Sequence, residues 1–210
     1  MYITRSECEE QQSDAGLGEL FFALKSKKLF GTKDALPVPQ LVKQLKMETV
    51  AGNYALIFEK LSDTSLEDKC KTQPFDVPVL KRLAKSLLES TKALMRCRTA
   101  HLDNHIGNIF YNDEEQKATF IDFGESVTKN GQDYEVRMSQ DIMNLVIDCY
   151  VQRDPTEANK IAKLENLKQT VRSDQQEANL IESLLSFLRM EQHFKETFDL
   201  EEVEKKINEM

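Results

Sequence analysis

The sequence contains four cysteines, Cys8, Cys70, Cys97 and Cys149, and no Cys-x-x-Cys pair. Their scatter argues against a disulfide framework or a zinc site and for reduced thiols in a cytosolic compartment. Long apolar runs are missing: none approaches the roughly 18 residues a membrane span needs. The opening, MYITRSECEEQQSD, lacks the apolar stretch of a cleavable signal peptide. Positive charge is short too, with 28 Lys and Arg against 36 Asp and Glu and a net charge of -8. That argues against a nucleic-acid binder working by general charge, although it leaves room for a local basic patch. Repeats, low-complexity tracts and long linkers are absent. What remains is 210 residues, 40% hydrophobic and 30% charged. This is ordinary globular material, enough for one domain with a real core or one domain of two lobes.

Periodicity divides the chain. "LGELFFALKSKKL", from Leu17 to Leu29, has helical apolar spacing, with Gly31 as a stop and Pro37 and Pro39 beyond. "QLVKQLKME" and "YALIFEKL" read as two strands joined by a turn near "VAGN". Asp76 is placed to cap a helix starting at Val77, and Pro78 suits its first turn. Leu80, Leu83, Ala84, Leu87, Leu88, Leu94 and Met95 give that helix one buried face, with its end expected near Arg98. A hairpin follows: "NIFY", the polar turn "NDEEQK", then "ATFID". The stretch from Asp122 to about Arg137 reads as polar and structureless. Ser139 is the candidate cap of the next helix, "SQDIMNLVIDCYV". The last part of the chain reads as three scaffold helices, with stripes Ile161/Leu164/Leu167/Val171, Leu180/Ile181/Leu184/Leu185/Leu188 and Val203/Ile207.

Histidine is scarce, yet two of the three fall in "HLDNHIGNIF", and "IDFG" closes the hairpin that follows. A hairpin brings its ends together, so Asn108 and Asp122 are expected side by side. Asp103 lies on the loop leading into the first strand. Two carboxylates and an amide oxygen then converge at one mouth. Hard oxygen donors of this kind suit Mg²⁺, which takes a few carboxylates together with phosphate oxygens. His105 reads more readily as a brace for the loop than as a proton shuttle. His193, on a late amphipathic helix, reads as surface or packing. Ser126, Thr128 and Tyr134 read as ordinary loop polarity.

"HLDNHIGN" resembles the catalytic loop H-x-D-x-x-x-x-N of the protein-kinase-like phosphotransferases, and "DFG" is similar to the metal-binding motif that follows it. His105, two residues after the Asp, is similar to the H-x-D-x-H-x-x-N version of aminoglycoside and choline kinases. "YALIFEKLSDTSLED" resembles a fifth strand, hinge and following helix, and "LVKQL" a fourth strand. The resemblance implies an α+β, protein-kinase-like two-lobe fold. Residues 1–61 would form a truncated N-lobe and residues 62–210 a reduced helical C-lobe carrying the catalytic loop and DFG. It implies ATP and Mg²⁺ as cofactors, with Asp103 and His105 as catalytic candidates and Asn108 and Asp122 as metal ligands. Backbone groups from Glu59 to Leu61 would meet adenine, Glu19 would be the C-helix glutamate, and Arg5 is the candidate for its cation. Asp141 would hold the backbone of the catalytic loop.

The departures from the pattern are equally specific. No Gly-rich loop precedes Glu19, since Gly16 and Gly18 fall on the wrong side of the presumed helix, and A-P-E is missing. The strand lysine has no clear match. Leu102 replaces the Arg of H-R-D, so activation by phosphorylation through that Arg is not expected. Either the N-lobe is stripped down, or a partner or an upstream segment completes it. The expected function is an ATP-dependent atypical kinase of protein Ser/Thr. It would resemble the small effector kinases that bacterial pathogens deliver into host cells, with a protein substrate or an activating partner protein. The expected location is cytoplasmic, or a host cytosol reached without a cleavable signal peptide. The competing readings are a pseudokinase acting as a binding or regulatory module, and a small-molecule kinase, which His105 favours.

Overall fold

The computed structural model describes residues 2–3, 38–39, 41–46, 54–58, 60–61, 64–72, 75–127, 132–151, 156–171, 174–190 and 192–210. It is a helix-rich α+β chain with small antiparallel sheets. β1 (Tyr2–Ile3), β2 (Leu41–Lys46) and β3 (Tyr54–Phe58) pair in the order β1-β3-β2. β2 and β3 are antiparallel, in a register running from Leu41↔Phe58 to Lys46↔Tyr54, with an irregularity between Leu41 and Lys43. The two expected strands therefore form and pair. The expected helix from Leu17 to Leu29 lies outside the described residues.

α1 (Leu66–Thr72) follows, and Ser65 Oγ accepts from the Asp68 N–H at 3.2 Å, as a cap does. α2 (Val77–Arg96) is the central helix. Asp76 Oδ1 accepts from Val79 N–H at 2.8 Å, and Pro78 occupies the first turn, where its missing N–H costs nothing. Of its expected face, Leu80, Leu83, Ala84, Leu87, Leu88 and Leu94 are buried and Met95 is partly buried. Each fully buried leucine contributes about 1.5–3 kcal/mol relative to exposure. The hairpin is β4 (Ile109–Asn112) and β5 (Lys117–Phe120), with Ile109 opposite Phe120. α2 fixes its position through two serines. Ser90 Oγ donates to Ala118 O at 3.1 Å, and Ser86 Oγ accepts from Ala118 N–H at 2.7 Å. α1 holds the other strand: Lys69 Nζ donates to Tyr111 O at 2.5 Å and to Asp113 Oδ2 at 2.6 Å.

α3 (Gln132–Val151) packs against α2 and begins well before Ser139. Ser139 is therefore not a cap. It is fully buried inside the helix, and its Oγ donates to Glu135 O at 2.7 Å, the back-bonding that lets serine sit mid-helix. Tyr134 likewise lies in this helix and not in a loop. Beyond it come α4 (Glu157–Thr170), α5 (Gln175–Leu188), α6 (Gln192–Lys195) and α7 (Leu200–Glu209). The expected three stripes fall on α4, α5 and α7, with the short α6 an addition. Thr156, Asp174 and Asp199 cap α4, α5 and α7 through their side-chain oxygens. The core runs from α1 and α2 through the hairpin to α3, α5 and α7. No described helix is long and apolar enough to cross a membrane.

Candidate active site

The site is assembled on the segment between α2 and β4 and on the exit of β5. Ala100 and Val127 exchange backbone hydrogen bonds, 3.0 Å and 2.9 Å long, which closes the mouth of this segment. Inside it His101 is fully buried, with its ring edge-on to Phe123 at 4.5 Å between centroids. Its Nδ1 accepts from the Asp103 N–H at 3.3 Å. The proton must then sit on Nε2, which lies 2.8 Å from Ile121 O and donates to it. One buried imidazole thus ties the loop of Asp103 to the strand exit of Asp122. Burial holds its pKa below the ordinary value, against the pull of the Ile121 carbonyl, Asp103 and Asp122, so it stays neutral.

Asn108 Nδ2 donates to Asp103 O at 3.1 Å and to Asp103 Oδ2 at 2.9 Å. A carboxylate accepts only, so the amide must turn its NH₂ toward Asp103. Its Oδ1 then faces away and accepts no hydrogen bond from the described residues. The Ile121 N–H donates to Asn108 O at 2.9 Å, which extends the hairpin register and sets Asp122 one residue beyond. Asp122 has φ 58°, a left-handed conformation that aspartate tolerates. Gly124 N–H approaches its Oδ1 at 3.4 Å. His105 Nδ1 accepts from the Gly107 N–H at 3.1 Å, so its Nε2 carries the proton, 3.9 Å from Asp103 Oδ2. A Cβ at Gly107 would sit 2.9 Å from His105 Cε1 and 3.0 Å from Glu67 Oε2, so a larger residue there would push on the His105 ring.

Asp103, His105, Asn108 and Asp122 are therefore brought into one neighbourhood. Leu61 is described and half-buried at the exit of the β3 segment. Arg5, Glu19 and Glu59 lie outside the described residues. Asp141 departs from its expected part. It accepts from Asn104 Nδ2 at 3.0 Å, and not from the backbone of the loop. The backbone is gripped by a residue the sequence reading passed over, Arg137, whose Nη2 donates to Leu102 O at 2.8 Å. Burial raises the Asp141 carboxyl to about 6, opposed by Asn104 and Arg137 and reinforced by Asp103. Asn104 Oδ1 is buried with no hydrogen-bond partner among the described residues. Arg137 stands in a stretch that looked structureless, so no periodic signal marked it.

The donor set suits a hard divalent cation completed by phosphate. It holds one outward amide oxygen and one carboxylate at the hairpin mouth, with a second carboxylate beside them. No cage of three or more His, Cys, Asp or Glu side chains forms among the described residues. Mg²⁺ held jointly with phosphates needs no such cage.

An α+β chain with H-x-D-x-x-x-x-N and D-F-G joined across a hairpin belongs to the protein-kinase-like superfamily of atypical kinases. More narrowly, residues 21–164 match the ABC1 atypical kinase-like domain, and the chain belongs to that family. No curated protein matches the chain. Membership suggests a kinase-like phosphotransferase or a pseudokinase, and kinase-like domains generally bind ATP and Mg²⁺.

Proposed function

We propose that the chain is an ATP-dependent atypical protein kinase that transfers phosphate to Ser or Thr hydroxyls. The observation that carries this reading is the double hydrogen bond from Asn108 Nδ2 to Asp103, at 2.9 Å and 3.1 Å, with Asn108 O tied to Ile121 N–H beside Asp122. Asn108 Oδ1 and Asp122 would hold Mg²⁺. Bound there, the ion would neutralise charge on the phosphates of ATP. Asp103 orients the substrate hydroxyl and accepts its proton. His105 braces the loop, since its Nδ1 is already committed to Gly107.

In this reading residues 1–61 form a reduced N-lobe and residues 62–210 the C-lobe, with Glu59 to Leu61 at adenine and Glu19 and Arg5 at the phosphates. The central place of β3 in the β1-β3-β2 sheet supports taking it as the strand that leads to the hinge. The alternative is a pseudokinase, favoured by the missing Gly-rich loop and strand lysine.

The test is thermal melting with ATP, with and without Mg²⁺. A ligand at 100 times its Kd stabilises by about 2.7 kcal/mol. ATP with Mg²⁺ should raise the wild-type melting temperature, and Asp122→Ala should remove the metal-dependent part while leaving the unliganded melt in place. Equal shifts for both proteins would refute the metal assignment.

A further inference from the structure

The peptide bond between Leu102 and Asp103 is hydrogen-bonded at both of its polar atoms. Its carbonyl oxygen accepts from Arg137 Nη2 at 2.8 Å, and its N–H donates to His101 Nδ1 at 3.3 Å. A peptide unit is planar, so fixing both ends fixes the plane and the direction in which Asp103 leaves it. Leu102 has φ 66°, a left-handed conformation that a leucine does not adopt unaided. Such strain persists only where the surroundings enforce it.

Arg137 comes from α3, where Val136 and Met138 on either side of it are buried, so the helix is anchored at that turn. One turn further on, Asp141 accepts from Asn104 at 3.0 Å. α3 therefore grips the residue before Asp103 and the residue after it. The two grips differ in kind. Asp141 reaches a side chain, whereas Arg137 reaches the peptide bond that aims Asp103 itself.

We propose that Arg137 is a positioning residue, holding the strained Leu102–Asp103 peptide so that the Asp103 carboxylate points at the acceptor hydroxyl. This rests on Asp103 being the base, and it assigns the aiming of that base to α3. Arg137 touches neither nucleotide nor substrate in this role. Its loss should therefore act on kcat and spare ATP binding, because misplacing a reacting group slows the step without weakening a remote contact.

The test combines Arg137→Met, Arg137→Lys, Asp103→Asn and the Arg137→Met/Asp103→Asn double variant. Amide hydrogen exchange at Asp103, read by NMR, reports the peptide directly and needs no activity. In Arg137→Met, exchange at Asp103 should speed up, and kcat should fall roughly 10- to 100-fold with KM for ATP unchanged. Arg137→Lys keeps one donor and should recover most of both. In the Asp103→Asn background Arg137→Met should remove little more activity, because the group it aims is already gone. Unchanged exchange at Asp103 in Arg137→Met overturns the proposal, and so does an equal loss of kcat in both backgrounds. Wild-type turnover by Asp103→Asn would instead overturn the role of Asp103 as base, and the exchange measurement alone would then decide what Arg137 holds.

Discussion

Asp103 receives the Asn108 amide, stands 3.9 Å from a ring nitrogen of His105 and follows a residue in strained conformation. A group held this closely makes a strong prediction if it is the base. Asp103→Ala should cut phosphate transfer by roughly 10²-fold or more, with ATP affinity little changed. Wild-type turnover on an accepted substrate would exclude the role. Asp141 gives a second prediction through its raised carboxyl. The folded protein holds this proton up to about pH 6, whereas an unfolded Asp releases it near the ordinary value of 3.8. Its contribution to stability is then full at low pH and is lost as pH rises through that window. Asp141→Asn cannot titrate and keeps an oxygen for Asn104, while its new NH₂ is a donor for the buried Asn104 Oδ1. The stability of wild type minus variant should therefore fall between about pH 4 and pH 6. Parallel melting curves across that range would refute the assignment. At this scale the sequence was legible where residues are close together. Asp103, His105 and Asn108 share one loop, so motif spacing found them. Arg137 reaches Leu102 across 35 positions, a contact that depends on the path of a helix whose first turns looked like coil.

Legibility at the scale of elements followed the strength of the apolar pattern. α2 announced itself through a cap, a proline and a leucine face, and its start fell where expected. The start of α3 did not, because Gln132, Asp133, Glu135 and Arg137 are polar and the buried Ser139 imitates a cap. Packing overrode local preference there. α2 is also the element on which the site depends, since Ser86 and Ser90 hold β5 and β5 delivers Asp122. Leu87→Ala on its fully buried face should cost about 2–5 kcal/mol by removing packed volume from the core. Chemical denaturation measures this. A loss below about 1 kcal/mol would mean the core closes around the gap, and the packing of α2 would not be what holds β5 in place.

At the scale of the whole molecule, charge works against the proposed ligand. ATP is polyanionic, the chain carries a net charge of -8, and its opening contains "SECEEQQSD". Mg²⁺ at Asn108 and Asp122 would offset part of this repulsion, but a kinase also relies on glycine-loop N–H groups and a strand cation around the phosphates. The sequence supplies neither in the expected place. Arg5 is a guanidinium, which does not stand in freely for a lysine, and Lys25, Lys27 and Lys28 are the nearest ammonium groups to Glu19 in sequence. A partner protein that covers the phosphates would complete the electrostatics from outside. The isolated chain should therefore turn ATP over weakly and gain activity when such a partner is present. ATP turnover by purified protein, alone and with extract of its source or host cell, reads this directly. An extract-dependent rise that disappears in Asp103→Ala supports the partner. Strong turnover by the isolated chain would sink it, because the phosphates would already be covered from within. No turnover in either condition, together with no ATP binding, would move the assignment to a pseudokinase acting as a binding or regulatory module.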